Sequence, residues 1–192
     1  ATVVMGDQGP DPQLHYACQE GRLDLVRGWV DKKKDVNTKS PARGLLPLQL
    51  AAAFGHDDIV KYLLANGADP RLADNVGLTC IHMAADKSGP VLQTLLAELP
   101  EAVLRDLKDA TDEDGSTALH HAASAGLKEN VEALLKCGFD VTVQDANGKT
   151  AADDAKTFGY EEIAALISAG AEAGEAEAEG EAGEEEAEET ED

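Results

Sequence analysis

The chain has few aromatic side chains and no long apolar run. Aromatic residues make up 4% of its 192 residues, although hydrophobic residues as a whole make up 43%. A folded core must therefore be built mainly from Ala, Leu, Val and Ile. No stretch of roughly 18 apolar residues occurs, so we expect no membrane-spanning helix. Residues 1–6 lack the basic region and long apolar stretch of a secretory signal, so we do not expect one there.

Cysteine and basic residues are also scarce. The three cysteines are an odd number without paired spacing, which favours a reducing compartment. We expect the cytoplasm, with the nucleus as the alternative. Because the chain does not begin with Met, we also keep location in an organelle, after removal of a transit peptide, as an alternative. Lys and Arg total 16 against 38 Asp and Glu, which gives a net charge of −22. Phosphate binding needs a basic surface, so we do not expect nucleic acid as a partner.

The clearest pattern in the sequence is the stretch Asp112–Gln144. It opens with the turn residues Asp-Glu-Asp-Gly. Thr117 then suits the N-cap of a helix predicted over 118–125, its hydroxyl accepting a hydrogen bond from a free backbone N–H. Gly126 ends that helix as a left-handed cap. A second helix is predicted over 128–136, with its apolar residues at i, i+3, i+4 spacing. Helices of about nine residues do not persist alone in water, so this unit must stack on others.

The same unit recurs along the chain. A pair of residues near the start of its first helix repeats at offsets of 34, 33, 38 and 33 residues. The five pairs are Leu14-His15, Leu48-Gln49, Ile81-His82, Leu119-His120 and Ala152-Asp153. Self-similarity near 33 residues is typical of a repeat array.

The motif Asp112-x-x-Gly115-x-Thr117-Ala118-Leu119-His120-x-Ala122-Ala123-x-x-Gly126 resembles the ankyrin repeat. Five copies cover about residues 10–170. The resemblance implies an all-α solenoid of stacked helix-turn-helix units with β-turn or hairpin connections. We divide the chain into a lead-in (1–10), a repeat domain (11–170) and a disordered acidic tail (171–192). The repeat units run over about 11–40, 41–73, 74–111, 112–144 and 145–170.

Several positions depart from the regular pattern. Trp29 stands where later units carry Leu, so we expect it to cover the open end of the stack, with an exposed anchor as the alternative. Cys18 takes a helix-one alanine position and is expected in the core. Lys32–Lys34 is expected to be a solvated face. Five extra residues in the third unit, around 99–107, are expected to form a loop. Its Leu104 and neighbouring apolar side chains either pack back against the stack or dock a partner.

Residue types that carry catalysis occur without the required spacing. His15, His82 and His120 occupy equivalent positions in different units, so they lie a whole repeat apart and cannot share one metal ion. A Thr three residues before His82 and His120 indicates structural hydrogen bonds. The sequence has no Gly-rich phosphate loop, no nucleophile with a placed base and no zinc spacing. We therefore expect no enzymatic activity, no cofactor and no metal.

The resemblance implies that the turn tips and the outward side of the first helices form a concave surface that binds other proteins. The leading hypothesis is a non-catalytic adaptor or scaffold that is monomeric when unbound. The candidate partner-binding residues are Arg43, Leu45, Phe54, Asn75, Val76, Leu78, Asp86, Glu113, Asp114, Ser116, Ser124, Asn147 and Phe158. One alternative is a chaperone or carrier whose acidic tail captures a basic client protein. Another is a regulatory subunit whose tail covers Lys32–Lys34 and the groove.

Overall fold

A computed structural model of the chain describes residues 12–170. The lead-in and the acidic tail expected from the sequence lie outside this range. The prediction that the tail is disordered therefore concerns residues outside the described part of the chain. The described residues form helices joined by turns, in the order α1 (Pro12–Gln19), α2 (Leu23–Val30), α3 (Pro47–Phe54), α4 (Asp57–Ala65), α5 (Cys80–Ala85), α6 (Val91–Glu98), α7 (Glu101–Lys108), α8 (Ala118–Ser124), α9 (Lys128–Lys136), α10 (Ala151–Thr157) and α11 (161–170). None of these helices is long and apolar enough to cross a membrane.

The helices stack as pairs, as the repeat spacing predicts. The first helices of successive pairs pack together in the order α1, α3, α5, α8 and α10, and the second helices α2, α4, α6 and α9 form a parallel row. Alanine pairs in the middle of the first helices, such as Ala51-Ala52 and Ala122-Ala123, have no exposed surface. Because these side chains are small, neighbouring helices approach closely and one core runs through all units. The predicted all-α solenoid is confirmed.

Connections between the units are turns and not strands. Within residues 12–170 the only β-type pairing is an isolated bridge between Gln144 and Thr150. Of the two expected forms of connection, β-turns and hairpins, the described residues therefore show tight turns. Each turn is closed by side-chain hydrogen bonds, so a strand ladder is not needed to hold it.

Polar side chains near the starts of the first helices tie each unit to the next. The backbone N–H of Thr117 donates to Nδ1 of His120 at 3.2 Å, and Nε2 of His120 lies 3.1 Å from the carbonyl of Lys149. A carbonyl only accepts, so Nε2 carries the proton and Nδ1 is the acceptor. His82 makes the same pair of bonds, to Thr79 and to the carbonyl of Ala110. The structural role predicted for these histidines is confirmed.

Thr117 is the N-cap of α8, as predicted. It forms a capping box with His120: the Thr117 side chain accepts from the backbone N–H of His120, and the backbone N–H of Thr117 donates to the His120 side chain. The Thr117 hydroxyl also lies 2.9 Å from Nδ1 of His120. The predicted bounds of α9 are confirmed, whereas α8 ends at Ser124, one residue earlier than expected. Gly126 follows with φ +71°, as a left-handed cap requires.

The third unit has a shorter connection between its two helices, and the fourth unit compensates for it. After α5 the chain continues with Asp86, at φ −84°, and Lys87, and Ser88 stands where the left-handed Gly126 follows the first helix of the fourth unit. The side chain of Asn130, on α9, is 2% exposed and supplies the missing donor. Its amide donates to the carbonyls of Ala85 at 3.0 Å and Lys87 at 2.9 Å. The free carbonyls at the end of α5 are therefore satisfied from the neighbouring unit.

The five-residue insertion forms a helix, so the loop expected there is wrong. Pro100 precedes α7 with φ −61°, and Glu101 stands in its first turn, both of which favour a helix start. Leu104 and Leu107 are 6% and 1% exposed. The apolar side of α7 therefore packs back against the stack, and the partner-docking alternative for Leu104 is not needed.

The first unit buries the residues expected in its core. Cys18 has no exposed surface, and burial raises the pKa of its thiol to about 12. Trp29 is only 8% exposed, so the exposed-anchor alternative is wrong. Its indole N–H donates to the carbonyl of Asp35 at 3.2 Å, and Nζ of Lys34 lies 4.2 Å from the ring centre.

Candidate protein-binding surface

Each turn tip is held by one polar side chain at its start. In three tips this is an aspartate, and one carboxylate oxygen accepts two backbone N–H groups of the same turn. The pairs of donors are Val76 and Leu78 for Asp74, Asp114 and Ser116 for Asp112, and Asn147 and Lys149 for Asp145, all at 2.8–3.0 Å. In the second unit Ser40 takes this place and accepts from the N–H of Leu45 at 2.9 Å. The tips are therefore rigid.

Successive tips are joined to one another by backbone hydrogen bonds. The N–H of Asn75 donates to the carbonyl of Arg43 at 3.1 Å, and that of Glu113 donates to the carbonyl of Val76 at 2.9 Å. The N–H of Ala146 completes the series by donating to the carbonyl of Asp114 at 2.8 Å. We call this row of four tips (residues 40–45, 74–78, 112–116 and 145–149) the tip ridge.

The contact between tips is close enough to require glycine at two positions. Gly77 has φ +82°, and a Cβ on it would lie 3.0 Å from Cα of Asp112. Gly115 has φ +75°, and its Cβ would lie 3.1 Å from the backbone nitrogen of Ala146. Any other residue would strain the turn and also push the neighbouring tip away.

The structure brings nine of the predicted partner-binding residues together on the tip ridge. Five of them are exposed: Arg43, Asn75, Glu113, Asp114 and Asn147. The other four are half-buried: Leu45, Val76, Leu78 and Ser116. Leu45 packs against the core. The exposed crest of the tip ridge is consequently more polar than the mixed groove expected from the sequence.

The remaining four predicted residues lie at or directly after the C-terminal ends of the first helices. We call this row, with its intervening positions, the helix-one strip: Phe54, Asp86, Lys87, Ser124, Ala125 and Phe158. Phe54 and Phe158 are 47% and 59% exposed and hold the same position in the second and fifth units. Asp86 is exposed, whereas Ser124 is half-buried and donates to the carbonyl of His121 at 3.1 Å. The strip thus has an exposed phenyl ring at two of its positions and small or charged groups between them.

Sequence reasoning missed a line of residues beside this strip. His121 is the clearest of them, because its Nε2 lies 2.9 Å from a carboxylate oxygen of Asp112 and 26% of its side chain is exposed. Met83 holds the equivalent position in the third unit and is half-buried. Both stand three residues before a predicted position, Asp86 or Ser124, so the i, i+3 rule for one helix face could have found them.

The histidines beside the tip ridge differ in their protonation chemistry. The rings of His82 and His121 meet edge to face with their centres 5.5 Å apart. Burial lowers the pKa of His82 from 6.5 to about 4, and the nearby ring of His121 lowers it further, whereas Asp112 acts in the opposite direction. His82 is therefore neutral at neutral pH. At the outer end of the ridge, hydrogen bonds from the backbone of Lys149 and from Asn147 lower the pKa of Asp145, so its carboxylate stays ionised.

The described surface offers hydrogen-bonding groups and charge. Among residues 12–170, no three His, Cys, Asp or Glu side chains come together in a way that could hold a metal ion. The three cysteines are free thiols, and burial raises the pKa of Cys80, like that of Cys18, to about 12.

Comparisons with known proteins identify the family. A family model described as "Ankyrin repeats (3 copies)" matches residues 14–106 and 99–176. The chain is 36% identical over 137 residues to palmitoyltransferase AKR1 from Lachancea kluyveri, covering 71% of this chain and 18% of that protein. It is 30% identical over 148 residues to human B-cell lymphoma 3 protein, covering 76% and 32%. It is also 30% identical over 163 residues to neurogenic locus notch homolog protein 1 from Danio rerio, covering 77% and 6%. The chain spans less than a third of the length of each of these relatives. On the match of the family model and the stacked helix pairs, the chain belongs to the ankyrin-repeat family.

Proposed function

We propose that this chain is a protein-interaction module that binds a partner protein along the tip ridge and the helix-one strip. The backbone pairing of successive tips is the observation that supports the proposal most. Because each tip donates to the one before it, the exposed side chains of Arg43, Asn75, Glu113 and Asp114 are held in one row. A surface fixed in this way binds without a large loss of conformational freedom, which favours affinity.

The charges on this surface favour a basic partner. Asp86, Glu113 and Asp114 are exposed acids, whereas Arg43 is the one exposed base among the proposed binding residues. The exposed rings of Phe54 and Phe158 add apolar anchors, which commonly carry much of the energy of an interface. We therefore expect a partner segment that carries Lys or Arg opposite Glu113, Asp114 and Asp86 and apolar side chains opposite the rings.

Crosslinking in native extract, followed by mass spectrometry, tests this proposal. A chain with Phe54→Ala and Glu113→Lys should lose the partner that the unchanged chain enriches, because both the anchor and the complementary charge are removed. Glu129→Lys is the matched control, since Glu129 is exposed on α9 and away from the ridge. Unchanged enrichment by the double variant, or equal loss in the control, would count against the ridge as the binding surface.

The second candidate function rests on the acidic tail. Residues 171–192 contain 11 Glu and one Asp and no Lys or Arg, so they account for more than half of the net charge of −22. Such a tail favours capture of a basic client by a chaperone or carrier. Tail-driven capture should collapse between low and physiological salt, whereas docking on the ridge should largely persist. Equal client binding by a chain ending at Gly170 would reject this candidate.

A gating role for the tail is the third candidate. Lys32, Lys33 and Lys34 are exposed and could attract it across the stack. Partner affinity should then rise when residues 171–192 are removed, and no rise on deletion would reject the idea.

We further propose that the module is not itself an enzyme and is monomeric when unbound. The palmitoyltransferase relatives do not alter this proposal, because the match to AKR1 covers only 18% of that protein. The free cysteines favour a reducing compartment, with the cytoplasm first and the nucleus second.

A further inference from the structure

The aspartates of the tip ridge use their first carboxylate oxygen alike but differ in their second. Oδ1 of each accepts two backbone N–H groups of its own turn. Oδ2 of Asp112 lies 2.9 Å from Nε2 of His121, and Oδ2 of Asp145 accepts from the side-chain amide of Asn147 at 3.2 Å. Oδ2 of Asp74, in contrast, is buried and has no hydrogen-bond partner among residues 12–170.

The sequence explains why this oxygen lacks a donor. At the offset of 38 residues between the third and fourth units, Asp74 aligns with Asp112 and Met83 aligns with His121. Val76 likewise stands where the fifth unit carries its asparagine. Both positions that supply a donor in the other units therefore hold apolar side chains in the third. Because Oδ1 makes the same two turn bonds in both units, Oδ2 of Asp74 points toward Met83.

A buried carboxylate oxygen without a donor is unfavourable, because it has lost its hydration and has no hydrogen bond in exchange. Asp74 as a whole is only 6% exposed. No described base compensates for this. Arg43 lies on the adjacent tip, where its carbonyl accepts from the N–H of Asn75, but its side chain does not bind the oxygen. Met83 is half-buried, and its unbranched side chain rearranges readily. A donor that displaces the end of Met83 therefore reaches an acceptor that is already fixed in place.

We propose that Oδ2 of Asp74 is the binding site for an arginine side chain of the partner protein, which displaces the end of Met83 to reach it. This inference rests on the proposed function of the ridge and adds the residue type that the partner presents at the third unit. A guanidinium is more weakly hydrated than an ammonium group, so Arg suits a buried acceptor better than Lys does. Its N–H takes the place at Asp74 that Nε2 of His121 takes at Asp112.

The exposed side chains around the site favour the approach of a cation. Asp86 follows α5, three residues after Met83, and is exposed. Glu113, on the next tip, is also exposed. With the carboxylate of the site itself, these acids outnumber the nearby bases, which are the exposed Arg43 and the half-buried Lys87. Negative charge in excess raises the local concentration of basic groups.

Backbone amide signals measure the proposal directly, because the N–H groups of Val76 and Leu78 donate to the carboxylate of the site. N-acetylarginine amide, titrated into the isotope-labelled full chain at constant ionic strength, should shift both NMR signals to saturation. The N–H groups of Asp114 and Ser116 are the internal control, since the equivalent oxygen there already has a partner. The uncharged citrulline derivative should shift none of these signals. Equal shifts in the two turns, or equal shifts with the citrulline derivative, would overturn the proposal.

Met83→His fills the site from within the chain, with the residue that the fourth unit already uses at this position. The arginine derivative should then bind about tenfold more weakly at the third unit, because a hydrogen bond to a charged group is worth at least about that factor. Met83→Leu keeps an apolar side chain without a donor, so it is the matched control and should preserve the shifts of Val76 and Leu78. Unchanged binding in the Met83→His chain, or equal weakening in both chains, would contradict the assignment.

Binding of the partner itself separates this site from the ridge as a whole. In the crosslinking experiment, Met83→His should reduce enrichment of the partner and Met83→Leu should not. If Met83→His leaves enrichment unchanged while the Phe54→Ala and Glu113→Lys chain loses the partner, the ridge is supported and the arginine site is rejected. If the double variant also keeps the partner, the proposed function itself fails, and the assignment of the site to that partner fails with it.

Discussion

The buried His82 makes the stability of this protein depend on pH, and His82→Gln tests this. In the folded chain the pKa of His82 is about 4, mainly because of burial, against 6.5 for an exposed histidine. The unfolded chain therefore binds one proton more than the folded chain between pH 6.5 and 4. A pKa difference of one corresponds to about 1.36 kcal/mol, so complete protonation costs about 3 kcal/mol of stability.

The sign and the range of the effect follow from the same values. The folded pKa lies below the unfolded one, so the contribution of His82 is fully present above pH 6.5. It is lost as pH falls through about 4. Between pH 7.5 and pH 5 the loss is about 2 kcal/mol, or roughly 4–8 °C in melting temperature for a domain of this size.

Glutamine is the suitable replacement because the chain already uses it at the equivalent position. In the second unit the side-chain oxygen of Gln49 accepts from the N–H of Leu46 at 2.9 Å, and its amide donates to the carbonyl of Leu72 at 3.3 Å. Urea unfolding at pH 7.5 and pH 5 should show that the His82→Gln chain loses about 2 kcal/mol less than the unchanged chain. An equal loss in the His82→Gln and unchanged chains would refute the reasoning.

Three further predictions concern stability, and thermal unfolding at neutral pH checks each of them. Gly148→Ala should lower the free energy of unfolding by about 1–2 kcal/mol, because the φ of Gly148 is +75° and the space around it is open. Gly115→Ala should lower it by more at the same φ, because the added Cβ would press on the next tip. A smaller cost at Gly115 would contradict the close contact between tips. Leu104→Asp should lower the free energy of unfolding by about 3 kcal/mol or more, whereas Ala102→Asp on the exposed side of α7 should change it by no more than about 0.5 kcal/mol. Similar values for the two would mean that α7 does not pack on the stack. Asn130→Ala should lower the free energy of unfolding by about 1–3 kcal/mol, because it leaves buried carbonyls without donors. An unchanged free energy of unfolding would show that water replaces the amide.

The sequence predicted those parts of the fold that are determined within one unit. Helix α9 begins and ends at the predicted residues, because its apolar spacing and the glycine after it are local signals. The turn tips were predicted for the same reason, since Asp112 forms its hydrogen bonds within five residues of itself. Such features do not depend on what the neighbouring units offer.

Features that depend on two units could not be predicted in this way. The insertion was expected to be a loop, because nothing in residues 99–107 indicates the apolar surface that receives Leu104 and Leu107. Similarly, Asn130 looks like an ordinary polar residue of a helix until the short connection of the third unit is brought beside it.

The candidate surface was predicted unevenly for a related reason. Turn residues such as Glu113 and Asn147 are exposed as expected, because a tip has solvent on its outer side. Leu45 turned inward because the core next to it accepts an apolar side chain. His121 was missed because its contact with Asp112 joins a helix to a turn nine residues earlier, which a search of equivalent positions does not test.

The amide of Asn130 also limits how this array can be rearranged. A cut between the third and fourth units, whether by gene duplication, deletion or the making of a chimera, would separate α5 from the only side chain that completes its end among the described residues. The second unit ends its first helix with Gly55 and has no such dependence. Ankyrin arrays are often treated as interchangeable blocks, but here the third and fourth blocks have to be inherited, moved or redesigned as one.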